Sequence, residues 1–519
     1  MPTHCRPDSL DFGSVEGRTI VAGFDGGEIT SDGGALLLAK TNKAIRLIER
    51  VAHAFTDRRN PDLIEHSVAT LVGQRIMGEA LGYPDINDHD LLRHDPLLAA
   101  VMGKLTARDK RYAPLAGKST LNRLEHSPQE GEGRAPDRYH KISHDGAAID
   151  RLFLDVFKEA YATPPRIVVL DPDATDVPLH GNQEGRHYHG YYDSYCYLPL
   201  YIFCGRHLLT ARLRPASVDA ASGIVEEIAR IVAFIREHWP ETTIVVRADS
   251  GFCRDNLMTW CEDNDVHFVL GCAKTAPLIA EIAPELAEAE TEHKATGHAA
   301  RRFKSFDWTT RKSWTRERRV VAKAEWTEGE ANPRFIVTSM HEDVIDARAL
   351  YEDVYCQRGE MENRIKETQS DLFGDRMPAT TMRANQLRMY FSALAYVLMC
   401  ALRRIALAGT DLERATCGTL RLRLLKIGAQ VTVSVRRVKV ALATSCPWRE
   451  LFNTAHERFV PRRALTPRRP SINHRGTSTR LLHPLRRPRS GLPAPVRLQC
   501  LRPMQPRWTC TKNRVRKAG

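Results

Sequence analysis

The sequence predicts an α/β protein whose sheet follows a mainly helical N-terminal region. Before residue 155, apolar residues recur with the period of an α-helix, most clearly over residues 63–77. After Pro165 the pattern changes to short β-branched runs bounded by Pro, Gly or Asp, in the order β, β, β, α, β, α, β. That order indicates three antiparallel strands followed by crossover units.

Length and charge limit what the protein can be. The 519 residues allow about two to four domains with a large core. The formal net charge of +13 arises at one end, because residues 459–519 contain sixteen Lys or Arg and no Asp or Glu. The remainder has 60 basic and 63 acidic residues, a net charge of −3. Nucleic acid would therefore bind the body through local patches, not through its overall field.

Cysteine usage and hydropathy indicate the compartment. The twelve cysteines are scattered without a Cys-x-x-Cys pair, which favours free thiols in a reducing environment. Residues 1–13 lack the apolar run of a signal peptide. The most apolar stretch, residues 391–402, is too short to span a bilayer. We therefore expect a cytoplasmic protein with no membrane partner.

Residues 1–155 are interpreted as a mainly helical, DNA-binding domain. A short strand is expected at residues 19–24, followed by glycine pairs that mark turns. Helices are expected from Ala35 onward, over residues 63–77 and over residues 119–125. One helix pair could form a helix-turn-helix, but the signal for it is weak.

Residues 156–289 are interpreted as the first part of the catalytic core. Its strands are expected at residues 166–170, 195–203, 207–213, 243–248 and 267–271. The first strand ends in Asp171-Pro-Asp173, and the fourth ends in Asp249. In a sheet of this order the first and fourth strands are neighbours, so the aspartates at their ends converge.

The chain after residue 290 divides into three further parts. Residues 290–345 alternate like exposed antiparallel strands and are interpreted as an inserted β subdomain. Residues 346–458 are expected to supply the last core helix and a C-terminal helical region, including a long helix over about residues 380–405. Residues 459–519 are rich in Arg, Pro and Ser without periodicity, which predicts a disordered basic tail.

One predicted helix in the fourth part has an unusual polar face. With about 3.6 residues per turn, Tyr355, Arg358, Glu362 and Lys366 lie on one side of it. A phenol, a guanidinium, a carboxylate and an ammonium do not form a core stripe. They suit a surface that holds a metal ion and a phosphate backbone together. The alternative is a solvated helix with spaced ion pairs.

The carboxylates at the strand ends and on this helix suggest a metal site. Asp173, Asp249 and Glu362, if close together, would raise each other's pKa values unless a cation neutralised them. Hard oxygen ligands of this kind suit Mg²⁺ or Mn²⁺. Two such ions about 4 Å apart serve phosphoryl transfer. Asp171 also ends the first strand and is a rival for the first ligand. Each aspartate alone is more often a turn former.

The motifs around these residues resemble those of DDE transposases from bacterial insertion sequences, in the group that includes the Tn-five transposase. The resemblance is strongest to the insertion-sequence thirteen-eighty family and covers about residues 18–455. The segments that carry it are residues 170–175, 195–200, 247–252, 355–362 and 385–388, with shorter matches at 24–27, 31–34, 74–76 and 119–123.

This resemblance implies an RNase H-like core with a β insertion. It also implies cut-and-paste cleavage and strand transfer at terminal inverted repeats by a homodimer bound to element ends and target DNA. By motif position the catalytic, metal-binding triad is Asp173, Asp249 and Glu362, with Asp173 preferred over Asp171 because a threonine closely follows the relatives' aspartate. The lysine expected seven residues after Glu362 is Gln369 here, and Lys366, on the same face, is a candidate substitute for its contact with the terminal phosphate.

Other residues and alternatives remain open at this stage. Trp314, between basic residues of the insertion, is a candidate for stacking on a flipped DNA base or for ordinary packing. His187 and His189 have the spacing of a metal pair but no partner motif, so a zinc site there is disfavoured. The tail is either a frameshifted segment or a DNA-binding arm. Alternative functions are a structure-specific nuclease and an inactive DNA-binding remnant.

Overall fold

A mixed sheet of nine strands runs through the middle of the chain. In the computed structural model the described residues are 10–107, 113–128, 140–310, 312–327 and 329–460. Met1–Pro461 forms one unit by its internal contacts. Residues 461–519 of the basic tail lie outside the described residues, so its disorder stays a prediction.

The N-terminal region is mainly helical, as the periodicity predicted, and also contains short strands. Its strands are β1 (Leu10–Val15), β2 (Arg18–Ala22), β3 (Ile29–Thr30), β4 (Phe55–Asp57) and β5 (Ile142–His144). Its helices are α1 (Ala35–Ile45), α2 (Leu47–Ala52), α3 (Val68–Leu81), α4 (His89–Leu92), α5 (Pro96–Val101), α6 (Lys118–Glu125) and α7 (Gly146–Glu159). Strands β1 and β2 form an antiparallel hairpin, and β4 pairs with β5.

Helix α3 begins later in the chain than its apolar period suggested. The hydroxyl of Ser67 caps it by accepting a hydrogen bond from the Thr70 N–H at 3.2 Å. Leu63, which the periodicity placed on the helix, lies in a 3₁₀ turn and is 81% exposed. The helix ends at Gly82, whose φ of 96° is the left-handed conformation that glycine adopts without strain.

The core strands adopt the predicted neighbour relations. The elements are β6 (Ile167–Ala174), β7 (Val177–Pro178), β8 (His187–His189), β9 (Ser194–Tyr197), β10 (Leu200–Cys204), β11 (His207–Arg212), α8 (Ile224–His238), β12 (Thr243–Ala248), α9 (Asp255–Asp263) and β13 (His267–Cys272). The order in the sheet is β11-β10-β6-β12-β13. Strand β10 is antiparallel to both neighbours, whereas β6–β12 and β12–β13 are parallel. The expected adjacency of the first and fourth strands is therefore confirmed.

The single strand predicted over residues 195–203 is two strands in different sheets. Strand β9 lies between β7 and β8 in a small separate sheet, and β10 belongs to the central sheet. The break falls at Leu198 and Pro199. Proline has no N–H to donate to a strand ladder, which explains the change of sheet at this point.

The strands of the predicted insertion extend the central sheet. The elements are α10 (Ala276–Glu281), α11 (Ala283–Thr296), β14 (Ala300–Trp308), β15 (Arg318–Thr327), β16 (Glu330–Ala331) and β17 (Arg334–Thr338). The sheet continues β13-β17-β15-β14, with β17 antiparallel to β13 and β16 paired to β15. They therefore do not form a sheet of their own.

The expectation that these strands are exposed is wrong for most of β15. Val320 and Ala322 pack on one face of the sheet with residues of α10 and α11, such as Leu278. Val321 packs on the other face with Leu350 and Tyr351. Because both faces are covered, an alternating sequence here does not indicate alternating exposure.

The C-terminal part contains the long core helix and, contrary to a purely helical expectation, a β-hairpin. The elements are α12 (Ala347–Ala349), α13 (Gly359–Lys366), α14 (Met382–Leu402), α15 (Cys417–Leu420), β18 (Ala429–Val433), β19 (Val438–Leu442) and α16 (Arg449–Arg458). Strand β18 pairs with β19 and with β3 from the N-terminal region.

Helix α14 passes through the protein core. Together with the turn that follows, Met382–Leu407 is long and apolar enough to cross a membrane, which corrects the shorter apolar stretch expected from sequence. Its most apolar window is 83% buried inside the protein. Residues such as Leu387 and Leu394 have no exposed surface. Burial on this scale identifies it as a core helix.

A buried ionic network joins α14 to the N-terminal helices. The Arg75 guanidinium binds Glu125 at 2.8 Å and Glu79 at 2.6 Å, and Arg388 binds Glu125 at 2.5 Å. Burial raises the pKa of Glu79 to about 7, although Arg75 opposes the shift. Two of the segments that carry the family resemblance, residues 74–76 and 385–388, therefore meet in the core.

Candidate active site

The predicted carboxylates lie on one face of the central sheet. Side chains alternate along β6, so Val169, Asp171 and Asp173 share a face, while Val168 and Leu170 pack in the core on the opposite side. On β12, Val245 and Arg247 share the corresponding face, and Asp249 follows the strand. Because β6 and β12 are parallel neighbours, their carboxyl ends lie at the same edge.

A continuous helical segment, residues 347–371, covers that face. It starts as α12, passes through a π turn at Leu350–Val354 and a 3₁₀ turn at Tyr355–Arg358, and continues as α13. Leu350 and Tyr351 pack against Val245 and Val269 of the sheet. The sequence predicted one regular helix from Tyr355 to Lys366. In the structure its first turn, Tyr355–Arg358, is a 3₁₀ turn, which is wound more tightly than the α-helix that follows.

Asp171 is held in a closed ion pair. The Arg247 guanidinium donates from Nε to Oδ1 at 2.6 Å and from Nη2 to Oδ2 at 2.8 Å. Nη1 of Arg247 also donates to the carbonyl of Val354 at 2.5 Å. Burial raises the pKa of Asp171, and the hydrogen bonds from Arg247 oppose that shift. Asp171 therefore has its acceptors engaged and ties the sheet to the covering segment.

Asp173 faces the other carboxylates instead. Its Oδ1 accepts a hydrogen bond from the Ala174 N–H at 2.9 Å, and its Oδ2 lies 3.8 Å from Nη1 of Arg358. Burial, followed by the negative charge of Asp249, raises the pKa of Asp173 to about 7, with a smaller contribution from Glu362. The negative charges of Asp249 and Glu362 therefore act on Asp173 at this edge.

Arg358 lies between two of these carboxylates. Its Nη2 donates to Oε1 of Glu362 at 2.7 Å. Burial lowers the pKa of Arg358, but the charges of Asp173 and Glu362 outweigh that effect and raise it overall. Among the described residues, no group of three His, Cys, Asp or Glu side chains is already arranged around a metal position. The guanidinium supplies the positive charge at this edge.

The Tyr355 hydroxyl lies against Gly271, near the end of β13. A side chain at Gly271 would place its Cβ 2.5 Å from the Tyr355 hydroxyl and 2.9 Å from the Ser250 amide nitrogen, so only glycine fits. Burial raises the pKa of Tyr355. Sequence reasoning singled out neither Gly271 nor Arg247. The sequence signal that could have found them is a basic residue (Arg247) and a glycine (Gly271), each inside an apolar run typical of a buried strand.

The remaining predicted site residues lie differently. Lys366 is exposed and makes no ion pair among the described residues. Trp314 is half-buried against the core, with the Arg318 guanidinium 5.8 Å from its ring centroid. Gln369 donates to the Asp176 carbonyl at 3.3 Å. His187 and His189 lie on β8 and belong to no metal-binding cluster within the described chain.

The donor chemistry of this edge fits a divalent cation. The half-buried Asp173, with its raised pKa, has Arg358 as a cationic partner only at 3.8 Å, beyond hydrogen-bond distance. Asp249 uses Oδ1 to accept the Gly251 N–H at 2.9 Å. Mg²⁺ and Mn²⁺ prefer carboxylate oxygens as ligands. A bound cation would also relieve the repulsion between these carboxylates.

Comparisons with known proteins indicate the family of the chain. A search of the curated proteins finds no match. Among solved structures, the chain is similar to the cryo-EM structure of the piggyBac transposase synaptic complex with hairpin DNA, with 12% identity, 76% of this chain and 79% of that chain covered, and a TM-score of 0.37. The model of the family described as "Transposase DDE domain group 1" matches residues 12–464. The chain therefore belongs to the DDE transposase domain family, group 1.

Proposed function

We propose that this transposase cleaves DNA at the terminal inverted repeats of an insertion sequence and transfers the cut strands to target DNA. The observation that supports the proposal is the pairing of Arg358 with both Asp173 and Glu362 at the sheet edge where Asp249 follows β12. The order β11-β10-β6-β12-β13 supports an RNase H-like core. The motifs quoted above support membership of the insertion-sequence thirteen-eighty family of bacteria.

Asp173, Asp249 and Glu362 would hold Mg²⁺ or Mn²⁺. When bound, such ions supply activation of the attacking oxygen and stabilisation of the leaving oxygen. Glu362 is the most adjustable of the three, because its side chain is 46% exposed and sits on a helix above the sheet. Neutralising the carboxylates would leave the Arg358 guanidinium free to bind a DNA phosphate instead of Glu362.

The covering segment is proposed to hold the DNA backbone near the scissile phosphate. Arg358 offers a bidentate fork, Tyr355 a hydroxyl, and Lys366 an exposed ammonium one turn beyond Glu362. The protein outside residues 459–519 carries a net charge of −3, so such local groups must supply the phosphate contacts. A homodimer that brings two element ends together completes the proposal.

The test uses the full chain and labelled duplexes made from the DNA that flanks this gene. We expect Mg²⁺-dependent cleavage at one position and joining of the labelled end to a plasmid, both abolished by EDTA and by Asp249→Ala. Cleavage without joining would identify a structure-specific nuclease. Binding without cleavage, by a folded wild-type protein, would identify an inactive DNA-binding remnant.

A further inference from the structure

A small hairpin beside the active site exposes aromatic rings that no part of the mechanism above uses. Strands β8 and β9 pair antiparallel and are joined by a turn at residues 190–193. Tyr191, in the turn, is 86% exposed, and Tyr188 and Tyr195 on the two strands are 46% and 47% exposed. A single exposed aromatic residue is ordinary, but three on one hairpin form a surface that needs an explanation.

The hairpin is anchored at the strand that carries Asp173. Tyr192, next to Tyr191, packs in a small apolar cluster with Ala174, which directly follows Asp173. Burial raises the pKa of Tyr192 to about 12, and the charges of Asp176, Asp173 and Asp249 contribute to that shift. The rings of Tyr191 and Tyr192 are in edge contact, with centroids 5.0 Å apart. The exposed ring therefore lies beside the carboxylate edge.

The hairpin is also ordered by its own contacts. The Tyr188 hydroxyl donates to Asp193, and the Tyr188 and Tyr195 rings are in edge contact with centroids 5.6 Å apart. On the far side of Tyr195, the Arg186 guanidinium lies 4.3 Å from the ring centroid. Little conformational entropy would be lost when a ligand covers rings that are held in this way.

The chemistry of this surface matches an unpaired nucleotide. Exposed aromatic faces stack on bases of any sequence, and a nearby arginine can contact the adjoining phosphate. Trp314, the residue that the sequence suggested for this role, packs against the core instead. A protein or a second copy would need a wider apolar patch than one hairpin tip offers.

We propose that Tyr191 stacks on an unpaired DNA base next to the scissile phosphate, while Arg186, which lies over Tyr195 at the other end of the hairpin, contacts the DNA backbone. The inference rests on the proposed function for the position of that base. The proposal adds a DNA-binding subsite on the β8–β9 hairpin, separate from the groups on the covering segment, residues 347–371. The hairpin would hold the strand end in place while the carboxylates act on the phosphate.

A fluorescent single strand tests the subsite without knowledge of the element ends. The probe is an oligothymidylate of about 16 nucleotides with one 2-aminopurine, whose emission is quenched by stacking. We expect the wild-type chain to quench it and Tyr191→Ala to bind it roughly 5- to 100-fold more weakly, the range for loss of one base–aromatic stack. Tyr191→Phe keeps the aromatic face and should behave as wild type.

The two failures can be told apart. Equal binding and quenching by wild type and Tyr191→Ala, with both folded by thermal melting, would overturn the subsite even if wild-type protein cleaves element ends. Conversely, the expected quenching pattern without any metal-dependent end cleavage would count against the proposed function and leave the base-stacking surface standing. Loss of a dimer in Tyr191→Ala, measured by sedimentation with binding unchanged, would show that a second copy covers the hairpin and would also overturn the inference.

Discussion

Two arginine–carboxylate pairs lie on the same face of the central sheet and differ in almost every physical respect. Arg247 and Asp171 are both strand residues, with side chains 10% and 4% exposed, joined by two hydrogen bonds. Arg358 and Glu362 are helix residues, 19% and 46% exposed, joined by one. The first pair is closed and rigid, whereas the second is open to solvent and can exchange partners.

The difference indicates which aspartate of the Asp171-Pro-Asp173 sequence is available for chemistry. Both carboxylate oxygens of Asp171 accept hydrogen bonds from Arg247, which also donates one to the Val354 carbonyl. Asp173 forms only a longer ion pair, at 3.8 Å, with Arg358, and it has two like charges nearby. A carboxylate whose negative charge is only partly compensated is suited to bind a cation. A carboxylate in a closed ion pair is suited to stabilise the fold. Four experiments can break or sharpen this comparison.

The largest expected effect is on cleavage by Asp173→Ala, Asp249→Ala and Glu362→Ala. We expect each to lower the single-turnover cleavage rate at saturating Mg²⁺ by at least about 10²–10³-fold, the loss seen when one preorganised electrostatic group is removed. DNA binding should be largely retained, because phosphate contacts come from basic residues. Cleavage lost in Asp171→Ala but kept in Asp173→Ala, both folded, would reverse the roles assigned to the two aspartates.

The second effect is on stability. Asp171→Asn leaves Arg247 buried without its counter-charge, so we expect a loss of about 3–5 kcal/mol in the free energy of unfolding. Urea denaturation monitored by circular dichroism measures it, with Asp173→Asn as the matched control that should not lose stability. The double variant Asp171→Leu with Arg247→Met should recover much of the loss, since an apolar pair replaces the buried ions. Equal stability of Asp171→Asn and wild type would show that the closed pair is not structural.

The third effect concerns the open pair. Arg358→Ala should weaken cleavage of end DNA by about 1.5–3 kcal/mol, the scale of a hydrogen bond to a charged group. Arg358→Lys should recover little, because lysine lacks the planar fork. Lys294→Ala, which removes a cation that is 70% exposed on α11, is the matched control and should change the rate by less than about threefold. Equal cleavage rates in Arg358→Ala and wild type would show that this face of the helix is an ordinary solvated surface.

The fourth effect is a pH dependence of stability in the presence of EDTA. The pKa of Asp173 is about 7 in the folded protein and about 3.8 in the unfolded chain. Between these values the folded state binds more protons, so wild-type stability falls as pH rises from about 4 to 7. Asp173→Asn removes this loss. We therefore expect the free energy of unfolding of Asp173→Asn, relative to that of wild type, to be larger at pH 8 than at pH 5 by on the order of 2 kcal/mol. Parallel pH profiles of the two proteins, from thermal melting, would contradict the crowding of charges at this edge.

Much of the architecture follows from local patterns. Asp171, Asp173 and Asp249 could be placed near strand ends because β-branched runs stop there, although β6 continues through both of the first two to Ala174, and α14 could be placed approximately from its apolar period. The start of α3 could not, because a favourable cap at Ser67 overrides an apolar residue further upstream. Periodicity reports which face is apolar, whereas hydrogen bonding at the ends decides where a helix begins.

The sequence by itself determined most element types, indicated the DDE transposase family, and named Asp173, Asp249 and Glu362 as candidate metal ligands. Tertiary structure decided which of two neighbouring aspartates pairs with Arg247. Asp171 and Asp173 have the same local pattern and lie on the same face of one strand, and only the packing of Arg247, 76 residues away, separates them. Tertiary structure also joined β14, β15 and β17 to the central sheet, because helices cover both faces and remove the exposure that an alternating sequence suggests. Such choices depend on long-range contacts, which no local window of sequence contains.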